Sequence, residues 1–103
     1  MADKALLHLN LHREFFDAIA QGTKKTEYRD SSPYRARRLE GRSYDIVVFR
    51  NGYGPKVPEM FVQFRGVRKR GKGRSSHYAI RLRKILTIRR WRKPKTRRAI
   101  SEA

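Results

Sequence analysis

The chain predicts an α+β domain: a curled sheet or small β-barrel of about five or six strands, with one short N-terminal helix. Three observations carry this expectation. Its 103 residues are enough for one domain and one core, but not for two. Strand-like alternation of apolar and polar residues recurs along most of the chain, whereas the four-residue spacing of a buried helical face is clear only once, near the start. Turn-forming residues separate these segments at short intervals, which suits strands joined by tight connections.

From Leu6 to Leu11 the sequence LLHLNL sets Leu7, Leu9 and Leu11 on one face of a strand, with His8 and Asn10 on the other. His12 to Gln21 spaces Phe15 with Ile19 and Phe16 with Ala20 four apart, and Gly22 stands where a left-handed cap would stop the helix. Lys24 to Arg29 predicts a second strand. The polar break from Asp30 to Pro33 then leads to an Arg-rich segment, Tyr34 to Leu39, with room for one or two helical turns. Tyr44 to Arg50 (YDIVVFR) is the most strand-like stretch, and Asn51 to Pro55 (NGYGP) reads as a loop. Met60 to Val67 predicts a further strand, Arg68 to Arg74 a glycine-spaced basic turn, and Tyr78 to Ile88 the returning strand of a hairpin. Beyond Ile88 no apolar period remains. The domain is therefore expected to span 1-88, with 89-103 a basic tail in which Trp91 either anchors the tail or is an exposed stacking group.

The composition narrows the chemistry. With 38% hydrophobic residues the chain is too apolar for a disordered polymer, while 35% charged residues predict a thin core. The absence of cysteine excludes disulfides, thiolate metal sites and a cysteine nucleophile. No run approaches the roughly 18 apolar residues of a membrane span, and the N-terminus lacks the layout of a secretory signal. The expectation is a soluble, cytoplasmic protein, monomeric by default. His8, His12 and His77 have no metal-ligand spacing, so neither a metal nor another cofactor is expected. Asn51 to Gly54 has no following Lys-Ser/Thr and is not a nucleotide phosphate loop; it reads as the rim of a cleft where Tyr53 offers a stacking face.

Charge is the strongest compositional signal. The formal net charge is +18, and it is uneven: residues 1-64 hold 11 basic and 8 acidic side chains, while 65-103 hold 16 basic and 1 acidic. A polyanionic partner follows. Arg guanidinium forks suit phosphate, aromatic rings offer stacking faces, and counterion release supplies affinity without sequence reading. The candidate RNA-binding residues are Arg68, Lys69, Arg70, Lys72, Arg74, Arg89, Arg90 and Trp91. No stretch shows a basic amphipathic helix, which disfavours an anionic membrane.

Residues 22 to 29, GTKKTEYR, fit the pattern G-x-K-x-x-E-x-R and follow a strand and a helix that ends at that glycine. With LHLNLHREFFDAIAQG before them and RNGYGPKVPEM and YAIRL after, they make about residues 5 to 88 resemble the ASCH family. The resemblance implies a PUA-like barrel, a cleft lined by the motif, and a role with RNA or nucleosides. Some small members are amidohydrolases of N4-acetylcytidine that use a Lys, a Thr three residues later and a Glu from a later strand. Lys24 matches the first; Glu27 stands where the Thr would be, so Thr26, Tyr28, Tyr53 or a water would have to supply the nucleophile. Glu59 is the only acidic residue between Asp45 and Glu102 and is the candidate for the later carboxylate. The catalytic set under this reading is Lys24, Glu27 and Glu59, with Arg29, Thr26, Tyr28, Tyr53 and Asn51 around the substrate. Another member is a nuclease for single-stranded RNA.

Read from the residues alone, an extended 25 to 29 points Lys25, Glu27 and Arg29 to one face and Thr26 and Tyr28 to the other. Glu27 between cations is most simply a structural salt bridge. The functional alternative has Lys24 act as a neutral amine base, an action that a close Glu27 opposes. Two functions stand side by side: a small hydrolase of N4-acylated cytosine compounds, taken first, and a non-catalytic reader of RNA backbone.

Overall fold

The computed structural model describes residues 4-94. β1 (Leu6–Asn10) leads into α1 (Arg13–Ala20), β2 (Thr26–Asp30), α2 (Pro33–Leu39), β3 (Ile46–Arg50), β4 (Glu59–Arg70), a single 3-10 turn (Gly73–Ser75) and β5 (His77–Arg89). The strands form one curled five-stranded sheet, a half-barrel, in the order β1-β3-β4-β5-β2. β1 runs parallel to β3, and every other neighbouring pair is antiparallel.

The curl has a local cause. Three register shifts interrupt the β4-β5 ladder between Phe61 and Gly66, and such bulges bend and twist the strand that carries them. Gly66 takes φ +145°, a conformation that a Cβ would strain. Inside the curl, alternate residues of the strands (Leu7, Val47, Phe49, Met60, Val62, Ile80 and Leu82) form the core. Phe16 and Ile19 of α1 and Leu39 of α2 close it. In α1 the inward pair is thus Phe16 and Ile19, three apart. Phe15 is left 40% exposed.

Three sequence expectations are corrected or decided. There are two helices, not one, because the Tyr34 to Leu39 segment is a full helix despite its polar face. Ser32 caps it, its Oγ accepting from the Arg35 amide at 3.1 Å, Pro33 occupies the first turn, and the Tyr44 hydroxyl donates to the Arg38 carbonyl at the other end. Arg68 to Arg70 are strand rather than turn: they pair with Ala79, Tyr78 and His77, so ladder hydrogen bonds override the missing apolar period. The turn is confined to the residues between β4 and β5. Finally, Trp91 is an anchor. Its indole N–H donates to Asp17 Oδ1 at 2.8 Å, the same oxygen that accepts from Arg13 Nε at 2.9 Å, and its ring packs against the core. Arg89 belongs to β5, and the part of the expected tail from residue 95 on lies outside the described residues.

Candidate functional site

The motif strand behaves as its alternation predicts. Glu27 stands opposite Ile80 on the core side of β2 and is 5% exposed, whereas Tyr28, on the outer side, is 56% exposed. A carboxylate so buried needs partners on both oxygens. Arg29 Nε donates to Glu27 Oε2 at 2.8 Å, and Lys24 Nζ lies 3.5 Å from Oε1. The same Lys24 ammonium sits 5.3 Å from the ring centres of both Phe15 and Tyr28.

Arg29 does a second job. β1 and β2 are the two edges of the half-barrel, and at the seam between them guanidinium groups reach the carbonyls of β1: Arg29 Nη2 of β2 donates to the Asn10 carbonyl at 2.7 Å, and Arg38 Nη2 of α2 to the His8 carbonyl at 3.2 Å. This seam holds a cavity of about 200 Å³, lined among others by Asn10, Arg29, Tyr34, Arg35 and Arg38. The Gly22 to Arg29 motif therefore spans from the end of α1 to the bridging of the sheet edges.

Glu59 lies elsewhere. It stands opposite Arg89, nine residues further along β5 than the Ile80 that faces Glu27, and it pairs with Arg50 at 3.5 Å and Arg90 at 3.7 Å. The two carboxylates share no cation. Around Glu59 the 51 to 57 loop is fastened from several sides: Arg50 Nη2 donates to the Gly54 carbonyl, Arg90 Nε to the Val57 carbonyl at 2.8 Å, and Asn51 Nδ2 to the Leu11 carbonyl at 2.9 Å. Asn10 completes the fastening through both the amide and the carbonyl of Gly52. Asn51 and Arg90 thus hold the loop, and Tyr53 at its tip is 87% exposed.

The remaining basic candidates divide by face. Lys69 turns to the cleft beside Tyr44 and Tyr78, about 670 Å³ in volume, where it lies 3.3 Å from Glu40 and 5.8 Å from the Tyr78 ring. The Tyr78 hydroxyl donates to the same Glu40 oxygen. That hydrogen bond, with help from Lys69, holds the Glu40 carboxyl below the ordinary carboxylate range. The same bond, followed by burial, pushes the Tyr78 phenol up against the opposing charge of Lys69. A lowered carboxylate contributes stability above its unfolded pKa and loses it as pH falls through the folded one; a raised phenol contributes below its unfolded pKa and loses it as pH rises through the folded one. Tyr78→Phe is therefore expected to flatten the stability profile both below about pH 4 and above about pH 10. Urea unfolding across pH checks this, and a variant curve parallel to the native one at both ends would contradict it. Lys72 and Arg74 occupy the connection before β5 and are exposed, and Arg89 lies 5.7 Å from the Phe61 ring.

Arg68 and Arg70 face the opposite way from Lys69, onto the outer surface of β2, β5 and β4. Cross-strand register there sets Thr26 beside Arg81, Ala79 between Tyr28 and Arg68, and His77 between Asp30 and Arg70. Arg65 is close enough that its charge is the largest influence on Arg81. That charge, followed by partial burial and then by Arg68 and Arg70, pulls the Arg81 guanidinium below the usual arginine range. Among the described residues none of these four arginines forms an ion pair. Arg65 and Arg81 were missed as site residues in the sequence, although Arg81 alternates with Ile80 and Leu82 and so had to face outward.

No family model, curated protein or solved structure matches this chain. Among the described residues no group of three His, Asp or Glu side chains is placed to hold a metal ion, and no helix is long and apolar enough to cross a membrane.

Proposed function

We propose that the protein binds RNA through the outer surface of β2, β5 and β4, without catalysis. The observation that carries the reading is the gathering of Arg68, Arg70 and Arg81 around one groove, with Arg65 close to Arg81 and no carboxylate partner for any of them among the described residues, so that their repulsion is left for an external anion to relieve. Strand-borne arginines at fixed cross-strand spacing suit a phosphate backbone, whose contacts give affinity but little sequence preference. Resemblance to the ASCH family and its PUA-like barrel, carried by Gly22, Lys24, Glu27 and Arg29, supports RNA as the polyanion. The test is titration of a labelled single-stranded RNA by fluorescence anisotropy. Saturable binding that is lost when Arg68 and Arg81 are reversed supports the reading, and no binding at low salt removes it.

A second reading keeps the seam cavity as the site of a hydrolase for N4-acylated cytosine compounds, because the motif residue Arg29 lines it. Amide hydrolysis needs a base and an attacking oxygen. Here both oxygens of Glu27 and the Lys24 ammonium are committed to each other and to Arg29, and Glu59 is held by Arg50 and Arg90. Purified protein is therefore expected to leave N4-acetylcytidine unchanged in a chromatographic assay. Turnover by the native protein that Lys24→Ala abolishes would reverse the order of the two readings.

A further inference from the structure

The outer surface is not uniformly flat. Ala79 is 5% exposed and ends at Cβ, while its register neighbours on the two flanking strands are Tyr28 and Arg68. A short side chain between two long ones makes a groove. It measures about 370 Å³ and is lined by Thr26, Tyr28, Arg68, Arg70, His77, Ala79 and Arg81. Small-ligand sites begin at roughly 300 Å³, so the groove takes one nucleotide-sized group and not a duplex.

Its cross-section suits a planar guest. Tyr28 and Arg68 stand two strand spacings apart, roughly 9.5 Å between backbones. Two contacts of about 3.5 to 4 Å each would place a flat ring between the phenol and the guanidinium. The Tyr28 ring is already positioned: His77 meets it edge-on at 5.9 Å between ring centres with planes 64° apart, and Lys24 sits 5.3 Å from its centre. Arg81 and Arg70 lie at the two ends of the groove, on either side of the Ala79 floor. Asp30, beside His77, puts one carboxylate at the Arg70 end.

We infer that this groove is a subsite for a single unpaired nucleotide, whose base stacks on Tyr28 opposite Arg68 and whose phosphate is held by Arg81 or Arg70. The inference rests on the RNA-binding reading above and adds to it a preference for single strands. Charge alone would favour a duplex, which carries more phosphates per unit length; a paired base, however, has no free face to stack.

The experiment compares a labelled ten-residue oligouridylate with a blunt RNA duplex, for the native protein, Tyr28→Leu, Tyr28→Phe and an Arg68→Glu/Arg81→Glu pair. Stacking on one aromatic side chain predicts that Tyr28→Leu weakens single-strand binding about tenfold, leaves duplex binding within about twofold, and is rescued by Tyr28→Phe. Equal single-strand affinity in Tyr28→Leu, or an equal loss on the duplex, overturns the subsite. If the arginine pair abolishes binding while Tyr28→Leu does not alter it, only the subsite falls. If the native protein binds neither RNA, the function reading falls with it.

Discussion

Reversing Arg68 and Arg81 together to glutamate is expected to weaken single-stranded RNA binding about 100-fold. Each guanidinium-to-phosphate contact is a charge-assisted hydrogen bond worth about 1.5 kcal/mol at the low end, and two of them amount to about two decades of affinity at 1.4 kcal/mol per decade. Added repulsion from the new carboxylates enlarges the loss. A matched pair of single substitutions separates site from bulk charge. Arg68→Gln and Lys69→Gln remove one positive charge each from adjacent positions of β4, but Lys69 faces Glu40 on the other side of the sheet. Arg68→Gln is expected to weaken binding about tenfold and Lys69→Gln less than about threefold. Equal losses would mean that the protein attracts RNA through net charge and has no interface.

The largest stability effect is expected at Glu27. Removing one partner of a buried ion pair costs about 3 kcal/mol or more, because the charge left behind has no counterpart. Glu27→Leu would leave both Arg29 and Lys24 uncompensated, and Arg29 is also the group that bridges β2 to the Asn10 carbonyl across the seam. The seam should loosen with it. In a domain of this size each kcal/mol moves the melting temperature by about 4 to 8 °C, so a fall of more than about 10 °C is expected by calorimetry. Lys24→Ala should cost much less: its side chain is 21% exposed and its ammonium lies 3.5 Å from Glu27, an ion pair that solvent screens. If Glu27→Leu melted within about 3 °C of the native protein, the motif glutamate would not be the structural centre of the seam.

Much of this was legible in the sequence because the relevant signals are local. The alternation in Leu6 to Leu11 depends only on which neighbours point the same way, and the core face of β1 followed from it; Tyr44 to Arg50 was legible as a strand from its β-branched and aromatic residues. Gly22 marks the end of α1 for an equally local reason: its φ of +85° is one that other residues rarely adopt. The two-sided reading of the motif strand likewise put Glu27 and Tyr28 on opposite faces, and the pairing of β2 with β5 decides that Glu27 is the inner one.

What failed depends on partners far away in the chain. α2 was legible only as one or two helical turns, because it offers just Ala36 and Leu39 to the core, too few to make a period; its Ser32 cap and Tyr44 support are nearby, but the core it rests on is not. The basic run from Arg68 to Arg70 became strand because β5 returns to pair with it. The arginine cluster is a product of that pairing: Arg68, Arg81 and Tyr28 belong to three strands and meet only through cross-strand register. Glu59 was selected because few acidic residues were available, and composition carries no distance; Arg50 and Arg90 were its neighbours in space.

The salt dependence of RNA affinity tests the central claim most directly. With four unpaired arginines engaging phosphates, log Kd against log salt for a single-stranded RNA should have a slope of magnitude about 3 or greater, at roughly 0.7 per phosphate neutralised. Arg68→Gln and Arg81→Gln should each lower it by about 0.7. A slope near zero in the native protein, or one unchanged by both substitutions, would contradict the assignment of this surface to RNA.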